Sequence, residues 1–166
     1  KMQYMQTIKD AVEEFRSYAV ERFGAGMEVG LLLSVDRGKV FSKEGALQQI
    51  DDVVALSEAY PDLVVGVDIC GNPSKPSVVP HLIPALLERK AVFKRLPITF
   101  HTAEIKDDEE SEAILRNMRE LNIRRLGHVC FLPEACRKKI LEGGIHEDGR
   151  PVGVELCPTS NLVTRS

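Results

Sequence analysis

Apolar runs and amphipathic segments alternate along this sequence from end to end, the pattern of a parallel sheet whose strands are joined by crossover helices. Residues Tyr4 to Phe23 set Ile8, Val12, Phe15, Tyr18 and Phe23 at near-helical spacing, and Gly24 and Gly26 stop that helix. Met27 to Val35 then reads as a strand ending in Asp36-Arg37-Gly38. Lys43 to Tyr60 reads as a helix with Leu47, Ile50, Val54 and Leu56 on its inner side. Leu63 to Ile69 is a near-continuous apolar run of the kind buried on both faces, and Gly71-Asn72-Pro73-Ser74 turns out of it. The pattern continues with a helix over Val79 to Lys94, a strand at Ile98 to Phe100, a helix at Glu109 to Leu121 and a strand at Arg124 to Leu126. A helix opened by Pro133 and closed by Gly143-Gly144 follows, then a last strand at Val152 to Leu156 that runs into Cys157-Pro158-Thr159-Ser160-Asn161.

Five β/α units result, with no linker, repeat or low-complexity tract between them. A closed eight-unit barrel takes about 250 residues. This chain has 166, begins inside a helix without a methionine and stops just past a strand. The expectation is an α/β fold, an incomplete (β/α)8 barrel, with residues 1–166 as the central part of one larger barrel domain. Such a piece exposes two strand edges, so it is expected to associate with itself or with its missing segments.

Lys and Arg total 22 against 25 Asp and Glu, a formal charge of -3, so no basic field points to nucleic acid or to an anionic membrane. No apolar run approaches the roughly 20 residues of a membrane span, and Lys1 to Gln6 lacks the apolar centre of a signal peptide. A cytoplasmic location is expected. Cys70, Cys130, Cys136 and Cys157 show no close paired spacing and read as buried free thiols.

Side chains at the carboxyl ends of neighbouring barrel strands converge on one pocket. Here every expected strand ends in polar or glycine groups: Asp36 and Arg37, Asp68 and Gly71, His101 and Glu104, His128, and Cys157 through Asn161. Surface charge alone would scatter such groups between both ends, so their recurrence marks the rim of an enzyme.

The segments His101-x-x-Glu104, Gly127-His128 and Cys157-Pro158-Thr159-Ser160-Asn161, with Val67-Asp68-Ile69-Cys70-Gly71-Asn72 before them, resemble the adenosine deaminase family. They follow its order of strand ends over nearly the whole chain. Val35-Asp36-Arg37 and Leu156-x-x-Thr159-Ser160-Asn161 lean toward the adenosine deaminase-like, or N6-methyl-AMP deaminase-like, branch. The resemblance implies a TIM barrel and zinc-dependent hydrolytic deamination of a 6-aminopurine nucleoside or nucleotide, of adenosine or N6-methyl-AMP type, in purine metabolism. That chemistry needs a nucleophilic water at neutral pH, and bound Zn²⁺ lowers the pKa of its water to about 7.

By the same resemblance His101 is one zinc ligand and Glu104 the general acid that protonates ring nitrogen N1. His128 orients the attacking water and takes its proton or stabilises the charge on it, and Gly71 offers its backbone N–H to ring nitrogen N3. The sequence departs from the family at Val129, where glycine is usual and the pocket is expected to narrow, and at Asn72, where aspartate is usual. The family's His-x-His pair and its last aspartate ligand have no counterpart here. One histidine does not hold a catalytic zinc, which usually has three protein ligands, so the remaining ligands are expected outside this chain and the chain alone is expected to be inactive.

Other polar residues read structurally. His81 and His146 fall in helix or loop and read as surface residues; Cys157, with no base beside it, reads as core; Ser160 lacks the nucleophile-elbow glycines. Arg125 and Glu155 read as a structural ion pair, and Asp107 to Glu110 as a solvated helix start. Arg37, Ser74 and Lys75 are candidate contacts for a substrate phosphate. Two further readings stay open: a purine-binding barrel remnant without catalysis, and another metal-dependent amidohydrolase.

Overall fold

The computed structural model describes residues 2–143 and 145–164; Gly144, part of the expected helix stop, lies outside them. Five strands, β1 (Leu31–Asp36), β2 (Val64–Cys70), β3 (Ile98–Thr102), β4 (Ile123–His128) and β5 (Gly153–Glu155), form one sheet in the order β1-β2-β3-β4-β5. All four pairings are parallel, so all five carboxyl ends lie along one edge. Between the strands run α1 (Met2–Phe23, ahead of β1), α2 (Lys43–Ala59), α3 (Ile83–Glu88), α4 (Lys90–Phe93), α5 (Asp108–Asn117) and α6 (Glu134–Glu142), and α7 (Pro158–Thr164) follows β5. None of the described helices is long and apolar enough to cross a membrane.

Element bounds depart from expectation where pairing or packing overrides local pattern. β1 begins at Leu31 rather than Met27. β3 and β4 run past Phe100 and Leu126 because backbone pairing continues through His101 with Gly127 and Thr102 with His128. The helix expected over Val79 to Lys94 is three pieces, a π-helical turn at Val78–Leu82 followed by α3 and α4. Pro80 and Pro84 lack the N–H that a continuous helix needs.

Ser42 caps α2, its Oγ accepting from Gly45 N–H at 3.1 Å. The buried stripe of α2 is Ala46, Ile50, Val53 and Ser57, rotated from the expected one. Leu47, Val54 and Leu56 pack only at its margin. In α1 only Met5 and Ala19 are buried. Phe15, Tyr18 and Phe23 are exposed and touch each other, with ring centroids 6.5 and 6.1 Å apart.

The core lies between the helices and one face of the sheet, where Val35, Val67, Ile69, Ile98, Phe100 and Leu126 meet Ile50, Leu82, Leu86, Ile114 and Met118. Each such side chain stabilises the fold by about 1.5–3 kcal/mol. The other face is polar. Residues paired in register share a face, and the rows Ser34, Asp68, Thr99, Arg125 and His101, Gly127, Glu155 run across the strands. β2 is therefore not apolar on both sides as its sequence suggests, since Gly66, Asp68 and Cys70 turn to this inner face. All four cysteines are free, but only Cys136 is fully buried and Cys130 is exposed. His146, expected at the surface, is 5% exposed; burial and then the Arg124 cation lower its pKa.

Candidate functional site

A cleft of about 500 Å³ opens at the carboxyl edge of the sheet, lined by Gly71, His101, Glu104, His128, Cys157 and Ser160 among others. The four residues singled out through the resemblance thus share one cleft. His101 reaches it from the inner face of β3, its ring lying over Gly127 of β4. A Cβ on Gly127 would sit 2.6 Å from His101 Nδ1, which is why glycine precedes His128.

Backbone geometry turns the other two side chains inward. Ala103, His128 and Val129 have φ of 52°, 63° and 53°, left-handed values that side-chain-bearing residues adopt rarely. They end β3 and β4 and set Glu104 and His128 against each other. His128 Nε2 lies 3.5 Å from Glu104 Oε2, and the His101 and His128 ring centroids are 5.2 Å apart. Val129 does not narrow the cleft as expected: it packs beside Ala103, Leu132 and Cys136. Gly71 has φ 109°, and a Cβ there would overlap Asp36 Oδ1, so only bare backbone fits at that wall.

α7 supplies two contacts. Asn161 Oδ1 lies 2.6 Å from His128 Nδ1, while Asn161 Nδ2 donates to Cys130 Sγ at 3.0 Å, which orients the amide. An amide oxygen only accepts, so His128 carries a proton on Nδ1, and in the neutral ring Nε2 is the acceptor facing the cleft. Ser160 Oγ donates to Glu104 Oε1 at 3.5 Å.

Negative charge surrounds His101. Its Nε2 is 3.3 Å from Asp68 Oδ1 and 3.6 Å from Glu155 Oε2. The Asp68 carboxylate above all, with Glu155 and Glu104 adding, raises the His101 pKa against the opposing effect of burial. Burial would lift Asp68, but His101, Cys70 and Arg125 together hold its carboxyl below the ordinary value. Burial and the Asp68 charge push the Cys70 thiol up to about 11.

Ligand atoms of His101, His128 and Cys157 all lie within 4.8 Å of one another, and Asp68 Oδ1 is buried without an aligned hydrogen bond. A histidine nitrogen with a carboxylate oxygen 3.3 Å away suits Zn²⁺, so His101, with Asp68 beside it, fits the implied metal as one of its ligands. Cys157 is half-buried at the cleft rather than a core residue.

Other expectations are corrected. Arg37 is 1% exposed and paired with Glu110, itself 6% exposed, so Arg37 does not face a substrate phosphate and the acidic run is not wholly solvated. Ser74 and Lys75 are exposed outside the cleft. Arg125 does pair with Glu155 at 3.0 Å, but Glu155 also faces His101. A larger cleft of about 700 Å³ near Lys94, Arg124 and His146 lies toward the opposite edge. There Lys90 pairs with Glu120, Arg119 with Glu147 and Arg124 with Asp148, leaving little unmatched charge.

A parallel β/α sheet with titratable groups gathered at its carboxyl edge has the architecture of part of a β/α barrel. No family model matches the chain. It is 33% identical to an N6-mAMP deaminase of Arabidopsis thaliana over 83% of its own length and 34% of that protein's. It is 29% identical to an adenosine deaminase-like protein of Drosophila melanogaster over 96% and 41%. A crystal structure of Arabidopsis ADAL complexed with GMP superposes with a TM-score of 0.61 at 34% identity, covering 82% of this chain and 35% of that one. The chain is a homologue of the adenosine deaminase-like proteins, the N6-methyl-AMP deaminases included, and matches part of their barrel. It spans about a third to two fifths of the curated relatives it matches.

Proposed function

We propose that this chain carries the proton-transfer part of a zinc-dependent purine deaminase site. The reaction replaces the 6-amino or 6-methylamino group of an adenosine-type or N6-methyl-AMP-type compound by oxygen, in a cytoplasmic barrel domain of which residues 1–166 are one part. The observation that carries this reading is the 3.5 Å approach of Glu104 Oε2 to His128 Nε2 in the cleft shared with His101 and Gly71. A relative called an N6-mAMP deaminase and a related structure complexed with GMP support a purine nucleotide as ligand. A protein that only bound purine would have no use for an acid and a base set face to face.

His101 is the chain's metal ligand, with Asp68 and Glu155 supplying negative charge around it; a bound Zn²⁺ acidifies water near neutral pH. Gly71 N–H donates to purine N3. Glu104, protonated, gives its proton to N1, which draws electron density from C6. Water adds at C6 while His128 Nε2 takes one of its protons. The C6–N bond then breaks, and the amine leaves with that proton as ammonia or methylamine. The second water proton restores Glu104 as the C6 carbonyl forms.

The test is turnover of adenosine, AMP and N6-methyl-AMP by the intact, zinc-supplemented protein, followed by amine release. Conversion of at least one to its 6-oxo product is expected. A folded, zinc-loaded protein that converts none contradicts the reading.

A further inference from the structure

Arg37 follows β1 and Glu110 lies in the first turn of α5, 73 residues apart in the chain. They meet in a buried, two-pronged ion pair. Arg37 Nη1 donates to Glu110 Oε1 at 2.8 Å and Nη2 donates to Oε2. The same Nη1 lies 3.4 Å from the carbonyl oxygen of His101, and Thr102 Oγ1 donates to Glu110 Oε1 at 3.3 Å. Both members are held from behind. Ser77 Oγ donates to the Arg37 carbonyl at 2.9 Å, and Asp107 accepts from Glu110 N–H at 2.9 Å. Because β2 lies between β1 and β3, the guanidinium reaches across the end of one strand to hold the backbone of another.

Stability does not account for this arrangement. A buried ion pair is often matched or exceeded in stability by apolar residues of the same volume, and this one leaves Arg37 Nε buried without a partner. What an apolar pair lacks is direction. The backbone contacts are made at His101 and Thr102, immediately before Ala103, whose φ of 52° costs about 1–2 kcal/mol and persists only where neighbours impose it.

We propose that Arg37 and Glu110 are positioning residues for the site. They fix the His101 carbonyl and the Thr102 hydroxyl so that the segment 101–104 presents His101 and Glu104 to His128. The inference rests on the acid–base reading of Glu104 and His128. A lysine at 37 offers one point charge in place of a planar fork and does not meet both carboxylate oxygens and the carbonyl together.

The test is the double substitution Arg37→Met with Glu110→Leu in the intact protein, which removes the directed contacts while refilling the volume, with Glu110→Gln alone as a second variant. Thermal unfolding establishes that each is folded. Two readouts follow: kcat and KM for N6-methyl-AMP, and the nuclear Overhauser effect between the His101 and His128 rings, recorded with labelled histidine. The expected result is a folded double variant whose kcat falls about 10²-fold, the loss typical of a misplaced catalytic group, with KM far less changed and the ring-to-ring effect lost. A folded double variant with wild-type kcat and an intact ring contact overturns the inference. If the double variant does not fold, Glu110→Gln is read in the same two ways, with unchanged values overturning the proposal. If the wild-type protein turns over no purine, the functional reading fails while the ring contact still decides the positioning role.

Discussion

At Gly71 the backbone, rather than a side chain, meets the cleft, and the position tolerates nothing larger. Its φ of 109° is nearly closed to other residues, and a Cβ would overlap Asp36 Oδ1. Gly71→Ala is therefore expected to lose about 1–3 kcal/mol of stability, measured by urea unfolding, and to weaken purine binding, measured by titration calorimetry. A variant with wild-type stability would show that Asp36 moves aside freely. That Gly71, His101, Glu104 and His128 would share one cleft was legible because each lies within a few residues of a recognisable strand end. Asn161 was legible as part of a motif but not as the group that sets the His128 tautomer, since 33 residues separate them. The pairing of Arg37 with Glu110 was hidden for the same reason. Arg37 reads alone as a rim group able to meet a phosphate and Glu110 as part of a solvated helix start, and only the stacking of strand ends brings them together.

Among the elements, β3 both anchors the core and delivers His101. Phe100 is fully buried on its helix-facing side, while Thr99 and His101 face inward. Phe100→Ala is expected to cost about 3–5 kcal/mol, read as a lowered urea midpoint with an unchanged slope; a loss under 1 kcal/mol would contradict the packing described. The alternation of strands and helices was plain in the sequence because buried strands need apolar runs and their covering helices need apolar stripes. The break at Val78–Leu82 was not, since Pro80 and Pro84 act on a helix whose apolar pattern continues across them. Nor was the polar inner face of β2, where glycine, aspartate and cysteine alternate with aliphatic residues in too short a run to show period two. α1 shows the reverse error: its aromatic stripe looks like core, yet it packs mainly on itself.

For the molecule as a whole, β1 and β5 each have one strand neighbour among the described residues, and Leu32, Val65, Val154 and Leu156 are exposed near them. Open edges beside exposed apolar side chains favour association. The 166-residue polypeptide expressed by itself is expected to elute from size-exclusion chromatography as dimers or larger species and to show no deamination; an inert monomer would contradict the first expectation, and turnover the second. Four of the five strand ends meet at the cleft: β2 brings Gly71 and Asp68, β3 His101 and Glu104, β4 His128, and the segment after β5 Cys157, Ser160 and Asn161.

The central claim, that Glu104 donates a proton opposite His128, is tested most directly by Glu104→Gln in the intact protein, with purine binding and zinc content measured beside turnover. The amide keeps the shape and removes the proton. Turnover is predicted to fall about 10²–10⁴-fold, the usual contribution of a single general acid, while zinc content and purine affinity stay near wild type. Turnover at the wild-type rate would contradict the assignment.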